Sequence, residues 1–196
     1  MKSLLINSNE KPHVSISVVE DTQYIISPTS LNLNLELIFE KSDISAEIIF
    51  LGKLGGSEEN SIVTTTDHRV PRTSCNTFVK NVLMDSSKSK YVGKILIKKL
   101  AQQTTSFLQT NTLVIGDKTS NNSQPILEIE ADDVKASHGS TTGRVDSSMV
   151  YYLQSRGFSK QEAESLIVEG YFAETLNKIY DPTIRKEVAE TLGIIL

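Results

Sequence analysis

Every second residue from Leu31 to Leu37 is leucine, with Asn32, Asn34 and Glu36 between them. A period of two puts the leucines on one face of an extended chain and the polar residues on the other. The segment therefore suits a half-buried β-strand and not an amphipathic helix, whose period is 3.6. The same alternation recurs in Val14, Ile16 and Val18, and in Ile44, Ala46 and Ile48 with Ser45 and Glu47 between them. Further strands are expected over 91–100, 112–115 and 126–129. Turn residues separate them at Ser42-Asp43, Gly55-Gly56, Ser86-Ser87 and 119–123. Many short strands with no helical pattern between them indicate an all-β body. Sandwich, barrel and solenoid all give this texture, and no exact repeat selects among them.

From Asp146 the texture changes. Asp146 suits the N-cap of a helix through Tyr151, Tyr152 and Leu153 that ends at Gly157. Ser159 with Glu162 three residues on forms a capping box. Behind it Ala163, Leu166, Ile167, Gly170 and Ala173 recur at helical spacing. Asp181-Pro182 opens a third helix carrying Ile184, Val188 and Leu192. Two parts are expected: a β-body over 1–145 and a small helical module over 146–196. The module could cap the β-stack or present a docking face.

Composition narrows the function classes. The net charge is −4 and no basic face stands out, so nucleic acid is a poor partner. Cys75 is the single cysteine, which rules out an internal disulfide and a metal site made only of this chain's cysteines. No apolar run approaches 18 residues and the N-terminus lacks a leader's cleavage pattern, so a cytoplasmic protein that spans no membrane is expected. Gly52-Lys53-Leu54-Gly55-Gly56 lacks phosphate-loop spacing, and no hydrolase or zinc-protease signature is present. The absence of tryptophan and of an acidic cluster argues against a carbohydrate-cleaving solenoid. Nothing points to an enzyme.

The longest distinctive stretch runs Pro125-Ile126-Leu127-Glu128-Ile129-Glu130-Ala131-Asp132-Asp133-Val134-Lys135-Ala136-Ser137-His138-Gly139, then Thr141-Thr142-Gly143-Arg144-Val145-Asp146 and Tyr152-Leu153-Gln154-Ser155-Arg156-Gly157. By itself it reads as a strand, a turn holding His138, a second strand and a helix. It resembles the C-terminal signature of the SufB/SufD family of iron–sulfur cluster assembly subunits. His68-Arg69-Val70-Pro71-Arg72-Thr73, Lys80, Gly93-Lys94-Ile95 and Gln109-Thr110-Asn111 with Leu113 are similar to further landmarks of that family. The Ser-His-Gly at 137–139 is closest to the SufD-like version. The resemblance implies a right-handed parallel β-helix, and a short member without the family's N-terminal helical domain. Ala136 stands where SufD-like proteins often carry cysteine.

The resemblance also implies roles. His138 becomes the candidate cluster ligand or dimer-seam residue, since neutral imidazole binds iron well. Cys75 is a weaker candidate, a thiolate if Arg69 and Arg72 lowered its pKa, and otherwise a small core residue. His68 fits a structural hydrogen bond along a rung. Asp132 and Asp133 suit a solvated turn better than a metal site, because adjacent strand residues face opposite ways. Lys94, Lys98 and Lys99 read as solvated strand edges. By resemblance the chain would be a non-enzymatic scaffold. Residues 147–196 would bind a SufC-like ABC ATPase, and the β-edges near His138 would pair in a homodimer or with a SufB-like subunit. No cofactor would be tightly held beyond a transient iron–sulfur cluster. The alternative is an assembly or ATPase-regulating protein that keeps the fold without a cluster.

Overall fold

The computed structural model describes residues 1–7, 12–29 and 31–195. Among the described residues, eleven strands precede three helices: β1 (Lys2–Ile6), β2 (His13–Val18), β3 (Thr22–Ile26), β4 (Asn32–Phe39), β5 (Ile44–Leu54), β6 (Glu59–His68), β7 (Thr73–Leu83), β8 (Lys88–Ile97), β9 (Thr104–Val114), β10 (Ser120–Ile129), β11 (Val134–Arg144), α1 (Ser147–Ser155), α2 (Lys160–Leu176) and α3 (Pro182–Leu192). Odd strands form a six-stranded sheet in the order β1-β3-β5-β7-β9-β11, and even strands a five-stranded sheet. All pairings are parallel. The chain thus winds from one sheet to the other and back, a parallel β-solenoid. Ser74 pairs with Thr105 and Thr104 with Val134, a repeat of about 30 residues.

The alternation seen in the sequence fills the space between the sheets. Leu33, Leu35, Leu37 and Phe39 of β4 meet Ile44, Ala46, Ile48 and Phe50 of β5 in one buried core that continues to Tyr91, Ile95 and Leu108. Asn32, Asn34 and Glu36, between the leucines, lie on the opposite, less buried face of β4. Strands exceed their expected lengths: β9 starts at Thr104, and β10 absorbs Ser120–Asn122, which the sequence marks as turn. Their polar residues are drawn into extended chain because each strand completes the hydrogen bonds of the rung before it.

Corners between the sheets use left-handed backbone. Asp43, Arg72 and Gln103 have φ of 61°, 56° and 60° at equivalent places in successive rungs. The conformation costs a non-glycine residue about 1 kcal/mol. Rung-to-rung bonds offset it: the Asp43 N–H donates to the Arg72 carbonyl at 3.0 Å, and the Arg72 N–H to the Gln102 carbonyl at 2.9 Å. The Arg72 guanidinium also forks onto the Asp43 carboxylate at 2.7 and 2.8 Å.

The helices lie against the outer face of the six-stranded sheet rather than across an end of the stack. Ile25, Ile49, Leu51 and Val82 of that face form a second core with Val168, Phe172 and Leu176 of α2 and Val188 and Leu192 of α3. Polar staples fix the seat. Gln23 Nε2 donates to the Lys178 carbonyl at 2.7 Å, Lys80 Nζ to the Tyr171 carbonyl at 2.8 Å and Lys53 Nζ to the Leu192 carbonyl at 2.8 Å. The expected caps form: Asp146 on Ser148, the Ser159–Glu162 capping box, and Asp181 ahead of Pro182. The stripe Ala163, Leu166, Ile167, Gly170 and Ala173 lies on α2 at the expected helical spacing, and of these five only Ala163 is buried. The seated face is Ala163, Val168, Phe172 and Leu176, and Leu166 is 40% exposed. A long helix with two apolar faces offers periodicity for either, and only the sheet decides which one is covered.

Candidate functional site

The solenoid ends on β10 and β11, whose outer neighbours are missing among the described residues. β11 is exposed from His138 to Arg144. His138 sits in the middle of that strand, in register with Leu108 of β9. The sequence places it in a turn. In the structure the turn comes earlier, around Asp132 and Asp133, and Ser-His-Gly is drawn into extended chain by the free edge of β9. Asp132 and Asp133 are exposed there, and the Asp133 N–H donates to Gln102 Oε1 at 2.9 Å.

Side-chain direction follows from the alternation. Ala136 packs on the inner core, and Ser140 bonds to inward Thr110. His138, between them on the same face, therefore points toward the interior at the open mouth of the solenoid. Below it lies a cluster of neutral polar groups. Thr110 Oγ1 is 2.8 Å from Ser123 Oγ and donates to Ser140 Oγ at 2.9 Å. Asn121 Nδ2 donates to Thr142 Oγ1 at 2.8 Å, while Asn121 Oδ1 is buried without a partner. Sequence reasoning missed this cluster. Its signal was present as polar residues at alternate positions, Asn121 and Ser123 in β10 and Ser140 and Thr142 in β11.

Cys75 lies deeper, on the inner face of β7, fully buried. Burial pushes its thiol up to about 12, partly offset by a hydrogen bond with Thr77. Arg69 and Arg72 do not lower it, because their guanidinium groups engage Asp67 and Asp43 on the outside. The native thiol should resist a small aromatic disulfide reagent over hours and react at once in denaturant. Rapid native labelling in a thiol-release assay would show an access route that this packing closes.

His68 is buried at the end of β6. Nδ1 is 2.8 Å from Thr73 Oγ1 and Nε2 3.3 Å from Ser106 Oγ. Its ring stacks on Phe39 with centroids 4.4 Å apart. Burial lowers its pKa to about 3, so the ring is neutral and ties three rungs together. Lys98 pairs with Glu130 at 3.3 Å on the outer face of the five-stranded sheet, and Lys94 is half-buried there.

A second surface lies on the helices. Met149, Tyr152 and Leu153 of α1 face Leu166, Ile167, Gly170 and Tyr171 of α2 across an open groove of about 760 Å³, with Leu113 of β9 at its floor. No residue of α1 is buried. The unseated stripe of α2 is one wall of this groove.

Among the described residues, no group of three or more His, Cys, Asp or Glu could hold a metal ion. His138 is a single imidazole at an open end, so any metal cargo bound there would need donors from a second chain.

Comparison with known proteins shows the family. The family model for the SUF system FeS cluster assembly, SufBD core domain, matches residues 13–171. The chain is 33% identical over 114 residues to the iron–sulfur cluster assembly protein SufD of Escherichia coli (strain K12), covering 58% of this chain and 27% of that protein. It is 31% identical over 140 residues to SufD of Bacillus subtilis (strain 168), covering 71% and 32%. A SufBD family protein of Synechocystis is 29% identical over 146 residues, covering 74% and 32%. The chain therefore spans about a third of the length of these curated relatives.

Proposed function

Because the chain belongs to the SufBD core family of the SUF iron–sulfur cluster assembly system, we propose that it is a non-catalytic scaffold subunit on whose open solenoid end a cluster is built. The observation that carries this reading is the exposed last rung with His138 aimed into its mouth. An unpaired strand edge is a template for another chain. Pairing there would bring a second set of donors to His138. The nascent cluster is cargo, held by one imidazole of this chain and by groups of its partner.

The α1–α2 groove supports a second contact. Its apolar walls, with Met149 and Tyr152 both more than half exposed, suit an ABC-type ATPase of the SufC kind. Motion of that ATPase would reach the pairing end through α2, whose other face is locked to β5 and β7. A homodimer and a pair with a SufB-like subunit both fit this scheme.

The buried, protonated state of Cys75 favours a second reading, a structural or ATPase-regulating subunit that carries no cluster. Anaerobic reconstitution with iron and sulfide, with and without the ATPase, separates the two. The scaffold should develop absorbance between about 320 and 420 nm in the ATPase-containing dimer. A colourless complex that still binds the ATPase selects the second reading.

A further inference from the structure

The unmet hydrogen bonds of the interior gather in one place. Six buried side-chain oxygens lack a partner among the described residues. Four of them, Asn60 Oδ1, Asn81 Oδ1, Ser89 Oγ and Asn121 Oδ1, belong to a single layer across the solenoid. Asn60 of β6, Ser89 of β8 and Asn121 of β10 are in register on neighbouring strands. Alternation puts them on the same inward faces as Ile62, Tyr91 and Leu127 of the core. Asn81 comes from the opposite sheet, two residues after inward Val79 and in register with Gly52. Its Oδ1 lies so close over Gly52 that a Cβ there would overlap it. The space left by the missing side chain is therefore filled by the Asn81 amide. Because β5 leads directly into β6, the amide reaches the turn of the solenoid that carries Asn60.

The layer is enclosed. Asn60, Ser89 and Asn81 are 5%, 3% and 2% exposed. Leu54 and Leu83 seal it on one side, and Phe50 and Val79 on the other. Opposing side chains meet across the interior at this level, since Asn121 Nδ2 donates to Thr142 Oγ1 at 2.8 Å. Asn121 is half-buried and Thr142 exposed, so the layer opens to solvent at the last rung. The deficit is one-sided. All four unmet atoms are oxygens, and no nitrogen of these asparagines is among them. Such a set calls for positive charge and repels an anion. No carboxylate shares the layer, so a divalent ion would lose its hydration without a counter-charge. A water molecule would answer the oxygens but brings lone pairs of its own, and the layer has no unmet N–H for them.

We propose that this layer binds one alkali-metal cation of sodium size, held by Asn60, Asn81 and Ser89, with Asn121 at its entrance. Neighbouring strands lie about 4.8 Å apart, so an ion midway between in-register oxygens of β6 and β8 is about 2.4 Å from each. That distance suits oxygen ligands on an ion of calcium's radius, which sodium shares, and is short for potassium. Neutral amide and hydroxyl oxygens are the hard ligands such an ion takes. Bound there, it ties successive rungs together from inside. Binding requires neither a partner chain nor the α1–α2 groove.

Melting curves of the whole chain in sodium, potassium and choline chloride, at one ionic strength, test this beside the sodium-23 line width. With sodium at ten times its dissociation constant, the midpoint should exceed that in choline by about 3 °C or more, and potassium should do less. Ser89→Ala removes one ligand with little change of shape. It should melt in choline within about 2 °C of the unaltered chain and gain nothing from sodium. Asn60→Leu should lose the sodium response too, and Ser61→Ala, on the outward face of β6, should keep it. Equal midpoints in the three salts with an unbroadened sodium line mean that water alone meets these oxygens, and overturn the proposal. A sodium response that survives in both Ser89→Ala and Asn60→Leu places the ion elsewhere and also overturns it. A larger response to potassium than to sodium overturns the size assignment.

Discussion

In a reconstituted complex, His138→Ala is expected to lower cluster yield by about tenfold or more while leaving the melting temperature unchanged. The two halves of that result have separate causes. His138 is exposed on the last strand, and surface substitutions of this kind shift stability by no more than about 0.5 kcal/mol. The loss in yield follows from removing the imidazole that β11 aims into the open mouth. Backbone pairing would survive, since the His138 N–H and carbonyl are unaffected by the side chain. Absorbance per complex is measured beside dimer mass and melting temperature. A variant with unaltered yield rejects His138 as a ligand. One that loses the dimer as well assigns His138 to the seam instead.

The second large effect is acid destabilisation through His68. Burial holds its folded-state pKa near 3, against an ordinary value of 6.5. The neutral ring is therefore the folded form, and the unfolded chain binds the extra proton. Stability from this group is complete above pH 6.5 and is lost as pH falls toward 3. The loss is about 2 kcal/mol at pH 5 and about 3 kcal/mol at pH 4. No carboxylate is among the groups that bond or stack on the ring; its neighbours are Thr73, Ser106 and Phe39, so protonation gains no counter-charge. Denaturant midpoints between pH 7.5 and 4.5 should fall steeply, and a His68→Gln variant, weaker at neutral pH, should show a shallower slope. Equal slopes in the two proteins would place the acid sensitivity in other groups.

The two surfaces are linked by one helix. α2 locks Phe172 and Leu176 into the sheet through one face and offers Leu166, Ile167 and Gly170 to the groove through the other. A partner seated in the groove would thus press on an element fixed to β5 and β7. Those strands lead through β9 to β11, so the route from helices to open end consists of packed strands and contains no loop.

Much of this was legible in the sequence. The period-two leucines from Leu31 to Leu37 determined which side of β4 is buried, because strand geometry admits one answer once alternate residues differ in polarity. The caps at Asp146, Ser159 and Asp181 were equally legible, since a cap is satisfied by residues within a few positions. The Pro125–Gly157 motif pointed to the family. Three things depended on contacts between residues far apart in the chain. His138 read locally as a turn residue and became strand because the free edge of β9 supplied partners about 30 residues away. Cys75 follows Arg69 and Arg72 closely in sequence, which suggested a lowered pKa, but strand parity turned it into the core while the arginines engage carboxylates outside. The apolar residues of α2 named two faces, and the outer surface of β5 and β7 decided which became core and which a groove. Local chemistry set the elements and their caps. Rung stacking alone decided which edges, faces and side chains were left free to meet another molecule, because burial is a property of the assembled sheets and not of any one strand.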